Sequence, residues 1–305
     1  MGSGIIEDMR KTLFRGACDS HVHVVGPTDR FPQLPHGSYI ASPAPIEALR
    51  AVAEPLVVSR FVVVQPSFYG TDNSCLLEAL EKLNDSGRGV AVLDAASASP
   101  SALENYGRRG ICGLRLNFYS SAVTDAHRKL ERSLLESQEL LPRDGWHIEV
   151  IARAGTLAAA ADAISRSEVP IVIDHYGLPE KDAPSTPAGR ALLELAAVPH
   201  VWTKLSAPYR VSADPLATVP PIEWLHAFVK AAPDRCVWGS DWPHTPPRND
   251  APVKNKLLPY RNIAYERVFD DFVAALDSFE LAHHILVENP ARLYGFPQPP
   301  SVSSE

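Results

Sequence analysis

The chain has no hydrophobic run near the ~20 residues that cross a bilayer. Its purely apolar stretches are short pieces such as Phe61–Val64. It has no excess of positive charge: 29 lysines and arginines face 36 aspartates and glutamates, a net charge of −7. No basic field therefore holds nucleic acid or an anionic membrane, and an arginine that binds an anion does so locally, in a pocket. Cysteine is sparse, and Cys18, Cys75, Cys112 and Cys236 form no CxxC pair. Residues 1–16 mix Glu7, Asp8, Arg10, Lys11 and Arg15, with no apolar stretch of signal-peptide length. Both features predict a cytoplasmic protein with reduced thiols. Hydrophobic residues at 45% and charged residues at 21% exclude disordered, collagenous and coiled-coil chains. Proline is abundant, 28 of 305 residues, and much of it follows strand-like segments, where it stiffens the loops that shape a pocket.

Short β-branched runs alternate with longer amphipathic segments. The runs predict strands at Ala17–Val25, Ser59–Gln65, Gly89–Ala95, Gly113–Phe118, His147–Ile151, Pro170–His175, Val201–Ser206 and Cys236–Ser240. Helical patterns fall at Ile46–Ala53, Cys75–Asn84, Pro100–Arg109, Asp125–Leu141, Thr156–Ser165, Gly189–Ala197 and Pro221–Ala231. The runs are apolar on both faces, as in parallel strands buried between helices and core. No GxGxxG turn follows the first strand, which argues against an open doubly wound sheet. The expected fold is α/β, a single-domain (β/α)8 TIM barrel over 17–296, with an N-terminal extension over 1–16 and a tail over 297–305. A long loop, 243–265, is expected to cover the barrel mouth.

Catalytic groups of such barrels project from the C-terminal ends of strands. Strand one ends in Asp19-Ser20-His21-Val22-His23, where period-two alternation points both histidines the same way. Strand two ends in Gln65-Pro66-Ser67, strand four carries Arg115-Leu116-Asn117, and strand six ends in Asp174-His175. Strand seven runs through Ser206 to Arg210, and strand eight ends in Gly239-Ser240-Asp241-Trp242-Pro243-His244. Three histidines, two arginines and an aspartate converge on one cavity.

The segments DSHVHVVGP, VVVQPSFYGTDN, GLRLNF, PIVIDHYG, VWTKLSAPYR, RCVWGSDWPH and ENPARLYGF span residues 19 to 296. They resemble the amidohydrolase superfamily, and within it the branch containing 2-pyrone-4,6-dicarboxylate lactonase. The resemblance implies a hydrolase that opens a carboxylated lactone in aromatic or sugar-acid catabolism. It makes Asp241 the general base that activates water and sets His21, His23 and His175 around the scissile carbonyl. Arg115 and Arg210 would hold a substrate carboxylate in their planar forks, with Ser67 adding a hydrogen bond. His244 and Trp242 line the pocket or pack against the following loop; His244 is carried as a substrate-binding candidate. The chain departs from that branch twice. Tyr119-Ser120-Ser121 stands where the lactonase has a second arginine, and Ile151 where it has a tyrosine. A mono-anionic or differently shaped lactone is therefore expected in place of a dicarboxylate.

His21, His23, His175 and Asp241 are also a plausible set for one zinc ion. Arg115 stands where a residue bridging two metals would be needed, and strand five offers only His147, at its start. The resembled branch works without a divalent metal, so no cofactor is expected to be required. The alternatives are a zinc-dependent decarboxylase of the same superfamily and a lactone isomerase. The expected partner is a small anionic lactone, with neither nucleic acid nor membrane, and the oligomeric state is left open. His127, His147, His226, His283 and His284 fall on surface or helix-packing positions, Asp174 would orient His175, and Glu288–Arg292 reads as a structural helix end.

Overall fold

A computed structural model describes residues 12–35, 39–93, 98–119, 125–142, 144–246 and 256–297. Eight strands form one sheet in chain order: β1 Ala17–Val22, β2 Val58–Val64, β3 Gly87–Ala91, β4 Ile111–Asn117, β5 His147–Ile151, β6 Ile171–Ile173, β7 Val201–Ser206 and β8 Cys236–Gly239. Each pairs in parallel with the next. The ring is drawn together just past β8, where Asp241 N donates to His21 O at 2.9 Å and His23 N to Trp242 O at 2.8 Å. The seam of this barrel thus lies between the two expected catalytic segments.

Helices separate the strands, and each buries one apolar stripe on the sheet. Ser74–Leu83 buries Leu76, Leu77, Leu80 and Leu83. Two helices begin with a hydroxyl cap followed by proline: Ser99 accepts from Ala102 N before Pro100, and Thr186 from Gly189 N before Pro187. The hydroxyl satisfies a free N–H, and proline lacks the donor that this position cannot use. The expected helix Thr156–Ser165 is two pieces, Ala154–Ala159 and Ala161–Ser165. Strand six is shorter than Pro170–His175: Asp174 N still donates to Val150 O at 3.0 Å, and from His175 the chain enters a tight turn. Residues 94 and 95 of the expected third strand, and 247–255 of the expected covering loop, lie outside the described residues. The end of that loop gives way to a helix, Tyr265–Ala274, that the periodicity reading left unassigned. No helix among the described residues is long and apolar enough to cross a membrane.

Period-two alternation sorts the bore into layers. Its floor is apolar: Cys18, Val62, Val90 and Cys112 pack with Tyr294 and Phe296, and Val172, Trp202 and Val237 form a second group. Two residues further along, the same rows become Glu149 above His147, Asp174 above Val172, Lys204 above Trp202 and Arg115 above Gly113. His147, expected at a surface or helix-packing position, is 1% exposed and stacks edge-on against Tyr294, 5.4 Å between ring centroids. The correction follows from its place at the start of β5, in the floor row.

Gly239 makes room for the first histidine. A Cβ there would lie 2.7 Å from His21 Cβ and 2.9 Å from its backbone nitrogen, a collision that rotamer change does not relieve. Gly239→Ala is expected to destabilise the fold by about 1–3 kcal/mol through overpacking. A fall in the urea midpoint at unchanged slope measures it; an unchanged midpoint contradicts the close approach.

Candidate active site

Above the apolar floor lies a fully buried charged layer. Lys204 Nζ donates to Glu149 in a very short contact and sits 3.2 Å from His21 Nδ1. Asp174 Oδ1 lies 3.2 Å from the same His21 nitrogen, and 3.7 Å from Lys204 Nζ. Arg115 stands 3.9 Å from Glu149 and 3.8 Å from Asp174, and donates to Gln65 O at 2.9 Å. Asp174 was expected to orient His175. Instead it faces His21 across the bore, while His175 Nδ1 pairs with Ser206 Oγ at 2.8 Å.

At the mouth, Asp241 is the hub. Its Oδ2 accepts from Arg210 Nε at 2.7 Å and from Tyr209 OH at 2.5 Å. Its Oδ1 faces His23 Nε2 at 3.3 Å and His21 Nε2 at 3.6 Å. His23 Nδ1 meets the Val64 carbonyl at 2.7 Å. A carbonyl only accepts, so that nitrogen carries the proton and the Nε2 of the neutral ring is bare. The turns that aim these groups are left-handed at non-glycine residues: His175 at φ 50°, Ala207 at 52° and Asp241 at 61°. Such backbone persists only where the surroundings over-determine it.

Burial lowers the basicities of His21, His175 and His244, with His175 falling to about 3 and His244 to about 4. These rings are neutral near pH 7. Burial works against ionisation of Asp241, but the Arg210 guanidinium and the histidines hold its carboxyl well below the usual range. Burial and the neighbouring Asp174 push Glu149 up to about 8, against Lys204 and Arg115.

A cavity of about 250 Å³ opens over this layer, lined by His23, Ser67, Arg115, Tyr209, Arg210 and Arg261 among others. Ile151 lines it where the strand-five tyrosine would have been, and Thr245 and Tyr119 also face it. His21, His175 and Asp241 lie beneath those lining residues, fully buried. His244 is 2% exposed and is not among the lining residues; its ring stacks edge-on behind Tyr209 at 6.1 Å. The sequence reading passed over Glu149, Lys204, Tyr209 and Arg261. Period-two counting from His147 and Trp202 would have found the first two.

Residues 18–296 match the amidohydrolase family. The chain belongs to that family. It is 34% identical over 292 residues to a 4-sulfomuconolactone hydrolase of Rhizobium radiobacter, covering 92% of this chain and 90% of that protein. It is 30% identical to a 2-pyrone-4,6-dicarboxylate hydrolase of Comamonas testosteroni, over 92% and 90% of the two chains. The fold also matches a solved structure of a probable 2-pyrone-4,6-dicarboxylic acid hydrolase from Acinetobacter baumannii, with TM-score 0.75 and 26% identity, over 92% of this chain and all of that one. This amidohydrolase therefore resembles lactone hydrolases along nearly its whole length.

Asp19 fastens the site from behind. It accepts from Ser240 N at 2.9 Å, His21 N at 3.2 Å and Tyr265 OH at 3.0 Å. Burial nevertheless outweighs those donors and raises its carboxyl from 3.8 to about 6. The folded state thus holds the proton more tightly than the unfolded chain, a stabilisation present below 3.8 and lost as pH rises through about 6. At ~1.4 kcal/mol per pKa unit, wild type should lose about 2 kcal/mol relative to Asp19→Asn between pH 4 and pH 7. Paired denaturant titrations across that window test this; a pH-independent difference refutes it.

Proposed function

We propose that the protein hydrolyses a lactone carrying anionic substituents, using its own side chains and no required metal. One observation carries the reading: among the described residues, no hydrogen bond reaches Asp241 Oδ1, a fully buried carboxylate oxygen beneath an arginine-lined cavity. Arg210 and Tyr209 tie down the other oxygen, which leaves Oδ1 to take a proton.

Water attacks the lactone carbonyl carbon as Asp241 Oδ1 removes its proton. Negative charge gathers on the carbonyl oxygen. The Ser206 hydroxyl can donate to His175 Nδ1, which keeps a proton on the buried, unpartnered His175 Nε2 for that oxygen. The ring C–O bond then breaks, and the leaving oxygen recovers the proton from Asp241. The product is an open-chain hydroxy acid or its keto tautomer. A carboxyl held so low is a weak base, suited to an activated ester more than to an amide.

The three arginines differ in what they have left to offer. Arg115 is compensated by Glu149 and Asp174, and Arg210 by Asp241. Arg261 donates only to the Thr245 and Pro215 carbonyls and stacks 4.6 Å over Tyr209, with no carboxylate in ion-pair reach among the described residues. Ser120 and Ser121, where the second arginine is lacking, lie outside the described residues; Arg261 supplies a cation to the cavity that Tyr119 also lines, so a second anionic substituent is accommodated. The named relatives act on sulfonated or dicarboxylated lactones, which supports the same substrate class.

His21, His23 and Asp241 also fit one zinc ion: their donor atoms lie within 4.8 Å of one another, and His23 presents a bare Nε2. Such an ion, when bound, supplies Lewis-acid polarisation of the carbonyl.

Ring opening of carboxylated and sulfonated lactones by chelator-treated enzyme tests the reading. Wild type should turn over at least one of them, and Asp241→Asn should lose ~10² or more in kcat. Inactivity of the chelated enzyme, restored by zinc, overturns the metal-free form. Arg261→Gln should raise KM about tenfold for the anionic substrate while sparing kcat; an equal loss with a neutral lactone contradicts the anion assignment.

A further inference from the structure

His21 is contested. Lys204 Nζ and Asp174 Oδ1 approach the same ring nitrogen, Nδ1, each at 3.2 Å. Only one can bond to it: a protonated Nδ1 donates to Asp174, whereas a bare Nδ1 accepts from the ammonium. The choice fixes the opposite nitrogen, Nε2, which faces Asp241 Oδ1 and has no hydrogen-bond partner.

With the proton on Nδ1, three bare acceptors converge at the mouth: His21 Nε2, His23 Nε2 and Asp241 Oδ1. That arrangement is an electron-rich cage that a divalent cation would fill. With the proton on Nε2, His21 instead turns an N–H toward the mouth, 3.6 Å from Asp241 Oδ1 and outside hydrogen-bond reach of it. Lys204 can sustain this second state alone, because its three N–H groups face Glu149, His21 Nδ1 and Asp174 Oδ1, the last at 3.7 Å. Asp174 is then held by ion-pair contacts alone, to Lys204 at 3.7 Å and Arg115 at 3.8 Å.

We propose that Lys204, anchored by Glu149, is a positioning residue that keeps the His21 proton on Nε2, so that the ring serves as a hydrogen-bond donor and the His21/His23/Asp241 set is kept from binding a divalent metal. Asp174 pulls the opposite way, since it would hold the Nδ1 proton of a ligating histidine. The inference rests on the same histidine–aspartate cluster as the proposed function, but on no substrate.

Nitrogen-15 NMR of histidine-labelled, chelator-treated wild type reads the His21 tautomer directly and needs no activity. A proton on Nε2 is expected; a proton on Nδ1 overturns the proposal. Zinc binding by calorimetry supplies the second arm. Lys204→Met/Glu149→Gln removes the ammonium without stranding a buried charge, and should move the proton to Nδ1 and tighten zinc binding by about 10-fold or more. Lys204→Arg keeps the donors and should retain the wild-type tautomer and weak zinc binding. Unchanged zinc affinity in the double variant overturns the proposal, as does tight stoichiometric zinc in wild type. Loss of lactone turnover with the tautomer pattern intact faults the proposed reaction and leaves the role of Lys204 standing.

Discussion

Six ionisable groups buried in the bore of one barrel are the constraint on which the rest depends. Glu149, Asp174 and Asp241 are matched by Lys204, Arg115 and Arg210, and all but Arg210 are almost wholly buried. Each ion loses several kcal/mol of hydration on burial, and the mutual attraction repays this only while every partner is present. Removal of a single member strands its neighbour and costs about 3–5 kcal/mol. The layer therefore works as a unit, and burial above it holds His21 and His175 uncharged. The apolar floor of Val62, Val172, Trp202 and Val237 closes this layer from below.

The charged layer also decides how the mouth behaves. A buried carboxylate would ordinarily take up a proton, but Arg210 and the surrounding rings keep Asp241 ionised. Arg210 and Tyr209 bind one oxygen, and no hydrogen bond among the described residues reaches the other. The left-handed turns at His175, Ala207 and Asp241 cost backbone energy that a purely structural barrel has no reason to keep. They bend the chain so that side chains from β6, β7 and β8 meet over β1.

The sequence was most readable where chemistry is local. Alternation made His21 and His23 visible as a pair, and eight apolar runs separated by amphipathic segments led to the barrel. It was least readable where partnership depends on strand register. Asp174 beside His175 suggested a sequential pair, yet a side chain crosses the bore more easily than it turns back on its own neighbour, and Asp174 meets His21. Glu149 and Lys204 sat inside runs scored as apolar, since a charge in a buried strand betrays itself only when both faces of the strand are counted separately. Arg261 comes from the chain after β8, whose approach to the cavity follows from Arg261 N bonding to His244 O at 2.9 Å, a contact between residues with no shared periodicity.

Arg210 holds two positions at once, and this ties recognition to reactivity on the proposed reading. Its Nε binds Asp241, one terminal nitrogen binds Thr245 Oγ1 at 2.6 Å, and its side chain lines the cavity. A guanidinium shared between a carboxylate and a substrate anion stabilises each less than it would stabilise either alone. On that reading an anionic lactone docked against Arg210 would weaken the grip that holds the Asp241 carboxyl so low, and would make that carboxylate a better base. The cavity would then bind an anion at the moment when the general base needs less positive charge beside it. A neutral lactone of the same shape leaves Arg210 wholly on Asp241, so the preference for anionic substrates would extend beyond binding to the chemical step itself.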